Sequence, residues 1–547
     1  MTKAPVLTSM NACDALLGPT LAAGHGLTPA LIHRDARYTY AELEALVNRF
    51  GNALAGSGVG RGDRVLLLLK DTPEFVAAFL AAMKVGGVAV TLNTRSAARD
   101  VRFAITDSAC RAMVIDREFL DLFDEAVADG GLRPPVLVVC CTASEPAAPA
   151  ISLGAFLKDR PDRLESAPMS PDDMAFWIYT SGTTGTPKAA VHCHHDLLLG
   201  DLHVGEILGI KRGDRVFSSS KLFFSFALTF CLLGGLRMGA TLILEDRWPD
   251  SDAVAETVRR HRPDVMFSVP TIYRNLLRDA HAKEEAFGAV RRYVSAGEKL
   301  PASLFERWRQ ATGKPILEGI GATETLFLFI ANTPTAFRAG ATGRPQPGVE
   351  LRLLDERNQP VTEPGVTGVL WVRMSSLCRG YWQQPEKTAA SFVDGWYRTG
   401  DVFSFDSEGW WYHHGRGDDL LKISGQWVSP VEIEDCALAT TGILDAAVVG
   451  VENADGLVRL AMFAVPADSA GGPELAAQIQ ERIKSQLSIY KCPRNIRFVE
   501  EIPRTATGKI QRFRLRELAN ELRPEREDAP APSIGAAQPP PAAKFSP

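Results

Sequence analysis

Two textures of apolar and polar positions divide the chain. Through residues 31 to about 340, short apolar runs alternate with segments whose apolar residues recur at helical spacing. Tyr40 to Ser57 carries Leu43, Leu46, Val47, Phe50 and Leu54, which predicts a helix. Val65 to Leu69, a helix over Glu74 to Val85 and a strand over Gly87 to Leu92 make a βαβ unit. The alternation returns through Ala112 to Ile115, Pro135 to Cys140, Arg215 to Ser219, Ala240 to Glu245, Val265 to Val269 and Arg292 to Ala296. Such a pattern predicts an α/β fold, with parallel-type sheets covered by helices and ligands at the carboxyl ends of strands. The most apolar stretch, Leu222 to Leu236, is shorter than the roughly 20 residues that span a bilayer, so it predicts a buried helix or pocket wall.

Beyond residue 340 the pattern shortens. Val349 to Leu354, Gly368 to Val372, Trp396 to Arg398 and Gly409 to His413 read as strands of a small β subdomain. Gly415 to Pro430, rich in glycine and paired acids, reads as a hinge. After it, a helix over Glu432 to Thr440, strands over Ala446 to Val451 and Leu460 to Val465, a helix over Leu475 to Leu487 and a strand over Asn495 to Phe498 predict a compact α+β unit. The Pro- and Ala-rich segment from Pro524 has little to bury and is expected to be disordered. The expected units are therefore residues 1–417, 418–523 and 524–547.

Composition narrows the class. Apolar residues at 46% and charged residues at 23% are ordinary for a globular enzyme. A net charge of −5, from 60 basic and 65 acidic residues, supplies no field for nucleic acid. The nine cysteines include no CxxC pair, which fits a reducing cytoplasm, and the first residues show no secretory h-region. Neither nucleic-acid binding nor membrane insertion is expected.

Tyr179 to Ala190, YTSGTTGTPKAA, is too polar and too rich in glycine to be core, yet it leaves the apolar, aromatic Met174 to Tyr179. It reads as a phosphate loop. Gly182 and Gly185 let the backbone approach a ligand, Ser181, Thr183, Thr184 and Thr186 add hydroxyls, and Lys188 adds a mobile cation. A flexible linker has similar composition but is not launched from a core strand and closed by Pro-Lys and an apolar run. It is not the common P-loop, because Pro187 precedes the Lys and Ala189 follows it.

Four more stretches carry chemistry. Gly319 to Thr325, GIGATET, places Thr323 and Glu324 on a tight turn, and a carboxylate beside a hydroxyl suits Mg²⁺; a helix start carrying Thr and Glu is the plain alternative. Tyr397 to Asp401, YRTGD, presents Asp401 after a glycine at a strand end, an acceptor for ribose hydroxyls. Arg416-Gly417-Asp418-Asp419 follows soon after. Pro503 to Arg512, PRTATGKIQR, sets Lys509 on a loop near Arg504 and Arg512, a pattern that a solvated charged face also produces. His192, His194 and His195 have the composition of a zinc site, but a strand-to-helix turn ending in Asp196 as N-cap explains them more simply. His413-His414 falls on a β turn and receives no role.

In this order and spacing, the five stretches resemble the signature of the adenylate-forming enzymes, which include acyl-CoA synthetases, adenylation domains and luciferases. The resemblance covers about residues 11 to 520. KLFFSF at Lys221 to Phe226, SAGEKLP at Ser295 to Pro301, LKISGQWVSPVEIE at Leu421 to Glu434 and TATGKIQRF at Thr505 to Phe513 are most similar to the benzoate–CoA ligase group. What this implies is a large N-terminal domain, a mobile C-terminal domain and a monomer or homodimer that uses ATP, Mg²⁺ and coenzyme A. A carboxylate attacks the α-phosphate to give an acyl-adenylate and pyrophosphate, and the CoA thiol then displaces AMP. In-line attack on phosphorus needs positioning and charge neutralisation more than covalent help.

By the same resemblance, Ser181 to Lys188 hold the β- and γ-phosphates, Glu324 binds Mg²⁺, Thr323 meets the α-phosphate, and Asp401 and Arg416 take the ribose. Gly297 and the turn Glu318-Gly319-Ile320-Gly321 flank the adenine. Lys509 bridges the attacking carboxylate and the α-phosphate. The C-terminal domain swings about Asp418, bringing Lys422 to Gly425, with Ser424, to the CoA tunnel. Ser225, Phe226, Gly321, Phe327 and Leu328 line the acyl pocket. Benzoate-type ligases have Ala-Tyr where this chain has Ser225-Phe226 and His where it has Phe327, so the wall is greasier and a hydrophobic, aromatic or alkyl carboxylate is expected. A stand-alone enzyme loading a carrier protein, a catalytically silent nucleotide-binding protein and a luciferase-like oxidase are the competing readings.

Overall fold

The computed structural model describes residues 9–521 except 129, 141–145, 181–186, 424–425, 453–457, 468–470 and 505–509. Two large sheets hold most of the chain. The first orders its strands, from edge to edge, as Ile151–Ser152, Val136–Cys140, Ala112–Asp116, Arg64–Leu68, Val88–Thr91, Met174–Thr180 and Lys188–Cys193. All its neighbours are parallel except the last pair, which is antiparallel with Thr180 opposite Lys188 and Ile178 opposite Ala190. The residues that flank the predicted phosphate loop, Thr180 and Lys188, are therefore paired at a sheet edge, and the apolar Ala189-Ala190-Val191 is part of the returning strand.

The second sheet runs Arg344–Pro345, Leu328–Ala331, Ile316–Gly321, Arg292–Ser295, Val265–Ser268, Arg215–Ser218, Thr241–Leu244, Pro29–His33 and Ala36–Thr39. Its five central pairings are parallel, as the strand–helix alternation requires, and antiparallel strands finish both edges. Helix Tyr40–Gly56 begins on a capping box, in which the Thr39 side chain accepts from the Glu42 N–H and Glu42 returns to Thr39, and it buries Leu43, Val47, Phe50 and Leu54. Helix Pro73–Lys84 buries every residue but Glu74, so it lies wholly inside. One apolar cluster joins the sheets through it, holding Val65, Ala89 and Phe176 from the first and Val216, Val265 and Phe267 from the second. The apolar Leu222 to Leu236 sits in the same cluster as short helical turns, buried as expected.

The β subdomain is a five-stranded antiparallel sheet built on Val349–Leu354, Gly368–Met374, Trp396–Phe405 and Trp411–Arg416. Residues 443–498 form a three-stranded sheet of Ile443–Glu452, Val458–Pro466 and Asn495–Phe498, flanked by helices Pro430–Leu438 and Pro473–Gln486. Among the described residues, no helix is long and apolar enough to cross a membrane.

Candidate active site

Several candidate residues emerge at the carboxyl ends of adjacent parallel strands. Ser295 ends one strand beside Glu318 of the next, so Gly297 and the Glu318 to Gly321 segment lie side by side. The close packing there needs glycine: a Cβ on Gly319 would come within 2.6 Å of the Leu328 side chain and 3.2 Å of the Ile330 carbonyl. The Glu318 carboxylate accepts from the Leu300 N–H at 3.0 Å. Burial pushes its carboxyl up to about 8, only partly offset by that bond and by Lys299.

After Gly321 the chain turns through a short 3₁₀ segment, Thr323–Thr325. Lys188, the first residue of the returning strand, places its ammonium 3.1 Å from the Glu324 carboxylate. Tyr381 completes the group: its hydroxyl donates to the Glu324 carboxylate at 2.6 Å and also bonds the Lys188 ammonium, which sits 3.9 Å from the ring centroid. Burial alone would raise the Glu324 carboxyl, but the Lys188 charge and the Tyr381 hydroxyl outweigh it and hold the group below its ordinary range. Glu324 is thus a buried, charged carboxylate at the foot of the predicted phosphate loop. An anionic oxygen ligand of that kind fits a hard divalent cation such as Mg²⁺. Sequence reasoning missed Tyr381, which lies in a stretch, Arg379-Gly380-Tyr381-Trp382, with no recognised pattern.

Asp401 is not at a strand end. It lies inside the ten-residue strand Trp396–Phe405, where the pairing with Trp411–Arg416 shifts register. The preceding Gly400 takes φ +79°, and a Cβ there would strike the Arg416 guanidinium at 2.8 Å. Arg416 donates to the Thr399 carbonyl at 2.7 Å and lies 3.9 Å from Asp401, so the two predicted ribose residues are brought together. His413, set aside in the sequence as part of a turn, is on the paired strand and meets Asp401 at 3.2 Å.

The three clustered histidines are held by other protein groups, and two of them, His192 and His195, share Asp196, which lies 3.2 Å from His195 Nε2. His192 is fully buried between the Asp196 carboxylate (2.7 Å) and the Thr323 carbonyl (2.8 Å), His194 accepts from the Ala12 N–H at 2.9 Å, and His195 meets the Pro171 carbonyl at 2.9 Å. Asp196 is the first residue of its 3₁₀ turn and not the N-cap expected; it accepts instead from the Cys193 N–H and fixes His192.

Of the predicted acyl-pocket residues, Phe226 stacks edge-on against Phe230 and Phe267, and Phe230 against Phe327. Phe327 is fully buried between Phe230 and His203, forming the back of this aromatic group, while Phe226 and Ser225 remain partly exposed at its front. Leu328 packs on Gly319 and Gly321.

In the C-terminal region, Asp418 falls in the 3₁₀ turn Gly417–Asp419 and Lys422 in strand Leu421–Ile423. Arg504 and Arg512 do not make a solvated face. Arg512 pairs with buried Glu434, and Arg504 reaches Asp445 at 2.9 Å and Glu298 at 3.6 Å. Ser181, Gly182, Thr183, Thr184, Gly185, Ser424, Gly425, Lys509 and the 524–547 segment lie outside the described residues.

A sheet-edge antiparallel pair, a turn carrying a buried charged carboxylate, and an Asp–Arg pair near a register shift are the features that a nucleotide-handling enzyme would use. The profile of the AMP-binding enzyme family matches residues 20–382, and that of the AMP-binding enzyme C-terminal domain matches residues 432–509. The chain belongs to this family. Over 511 residues it is 52% identical to the 3-hydroxybenzoate–CoA ligase of Aromatoleum sp. (strain CIB), an alignment that spans 93% of this chain and 97% of that protein. A 3-hydroxybenzoate–CoA/4-hydroxybenzoate–CoA ligase of Thauera aromatica is 50% identical over 511 residues, again spanning 93% and 97%. The solved structure of the anthranilate CoA ligase AuaEII in complex with anthranoyl-AMP matches with a TM-score of 0.89 at 33% identity, covering 95% of this chain and 99% of that one. Fold and relatives make this chain an AMP-forming acid–thiol ligase.

Proposed function

We propose that this chain ligates coenzyme A to a hydroxybenzoate, through a hydroxybenzoyl-adenylate made from ATP. The observation that carries the reading is the Lys188–Glu324–Tyr381 group at the sheet-edge pair, a charged carboxylate and a cation set where a nucleotide's phosphates would enter. Hydroxybenzoate is favoured because relatives at half identity or more are named for it. Ser225, partly exposed at the front of the aromatic group, is a polar contact for a ring substituent.

In this reading Ser181 to Gly185 and Lys188 grip the β- and γ-phosphates, and Thr323 meets the α-phosphate. Mg²⁺, held by Glu324, neutralises phosphate charge when bound. Asp401 and Arg416 take the ribose, and Gly297 and Glu318 to Gly321 flank the adenine. The acid lies against Phe226, Gly321 and Leu328 with Phe327 behind. Lys509 supplies a cation where charge develops between carboxylate and α-phosphate; removing one such donor costs on the order of 10² to 10³ in rate. Residues 418–523 act as the unit that brings Lys422, Ser424 and Gly425 to the CoA thiol, turning about Asp418.

The test is ATP-dependent pyrophosphate release over a panel of benzoates, with and without coenzyme A. The expected outcome is release with hydroxybenzoates and a CoA thioester when coenzyme A is present. Silence with every aromatic acid would overturn the reading. Release without thioester would replace CoA by another acceptor.

A further inference from the structure

Residues Thr323 to Phe327 form a turn whose first three carbonyls are each held from outside it. The Thr323 carbonyl faces His192 Nε2 at 2.8 Å, the Glu324 carbonyl accepts from the Cys378 N–H at 2.8 Å, and the Thr325 carbonyl accepts from the Ser376 hydroxyl at 2.7 Å. The Thr325 carbonyl also accepts from the Phe327 N–H at 2.7 Å, which closes a γ-turn. That turn forces Leu326, a buried and branched residue, to φ 62° and ψ −57°. Backbone in this region is strained for a non-glycine residue and persists only where its surroundings over-determine it. The strain sits two residues from Glu324.

His192 is the hold with the most specific chemistry. The Thr323 carbonyl and the Asp196 carboxylate can both only accept, so each ring nitrogen carries a hydrogen: Nε2 donates to Thr323, and Nδ1 donates to Asp196, 2.7 Å away, which turns the ring to that position. The ring also stacks on Phe176, with centroids 5.1 Å apart and planes inclined by 18°. On the strand Lys188–Cys193, positions 188, 190 and 192 share a face. One strand therefore grips the turn twice, through Lys188 on the Glu324 side chain and through His192 on the Thr323 backbone.

We propose that His192, oriented by Asp196, is a positioning residue for the nucleotide-activating step: it fixes the Thr323 carbonyl and through it the direction of the Glu324 carboxylate. The inference rests on the ligase reading above. Substitutions of such outer partners cost about 10- to 100-fold in activity or metal affinity.

The experiment compares wild type with His192→Leu, His192→Gln, Glu324→Gln and the double variant His192→Leu/Glu324→Gln, with folding checked by thermal unfolding. His192→Leu is expected to lower kcat about 10- to 100-fold and to raise the Mg²⁺ needed for half-activation, with the KM for the aromatic acid nearly unchanged. His192→Gln, whose amide can still donate to Thr323, recovers most of the loss. In the Glu324→Gln background the further substitution of His192 has little effect, because both act through one carboxylate. Variants that lose only thermal stability, or losses that multiply in the double variant, would overturn the proposal. Absence of turnover in the wild type would count against the ligase reading alone, and the same comparison would then be read from ATP binding with and without Mg²⁺.

Discussion

At the scale of single residues, burial sets two carboxylates against each other. Glu324 has Lys188 and Tyr381 to compensate it and is held charged. Glu318 has only a backbone N–H and a more distant Lys299, and its carboxyl rises to about 8. The sign of the consequence is fixed. An unfolded glutamate titrates near 4.5, so between about pH 4.5 and 8 the folded chain holds a proton that the unfolded chain has lost. Stability therefore falls as pH rises through that window, by at most roughly 1.4 kcal/mol per pH unit. Glu318→Gln should flatten the slope, raising the Tm relative to wild type at pH 8.5 and hardly at pH 5; thermal unfolding over pH checks it, and an unchanged slope would contradict it. Legibility at this scale followed chain proximity. Lys188 and Glu324 were visible because their own neighbours are distinctive. Tyr381 and His192 were not, because each acts on the 323–325 turn from a distant part of the chain.

Elements explain what the motifs could not. Met174–Thr180 was legible from its unbroken apolar run, but Lys188–Cys193 was not, since three apolar residues after a proline do not tell strand from helix. Asp401 was read as ending a strand because Gly400 looks like a terminator; it marks a register shift within one. The docking of the C-terminal unit was also hidden. Arg504 lies between Asp445 of its own unit and Glu298 of the large sheet region, Arg274 reaches Asp445 at 3.0 Å, and Lys299 pairs with Asp435. Burial raises the Glu298 carboxyl despite Arg504 beside it, so desolvation outweighs the attraction. Removing one partner of such a buried group is costlier than the group's net worth. Arg504→Met should destabilise this docking by on the order of 3 kcal/mol, seen as an earlier, separate unfolding transition and faster proteolysis near Gly417. An unchanged profile would show that the cluster does not hold the units together.

For the whole molecule, the two textures of the sequence correspond to two structural regimes: mainly parallel strands covered by helices up to the Ile316–Gly321 strand, then short, mainly antiparallel sheets. The regime changes at the site. Glu318 to Gly321 ends the last parallel strand, Glu324 follows, and Tyr381, Asp401 and Arg416 come from the antiparallel part. In the proposed reaction both parts supply residues for the attack of a carboxylate on the α-phosphate of ATP. The most direct test labels the carboxylate oxygens of 3-hydroxybenzoate with oxygen-18 and follows the label by mass spectrometry in the presence of ATP and coenzyme A. If the acid attacks the α-phosphate and the thiol then cleaves the acyl carbon–oxygen bond, AMP leaves carrying one labelled oxygen and pyrophosphate carries none. Label in pyrophosphate or inorganic phosphate, or thioester formed with unlabelled AMP, would contradict the account.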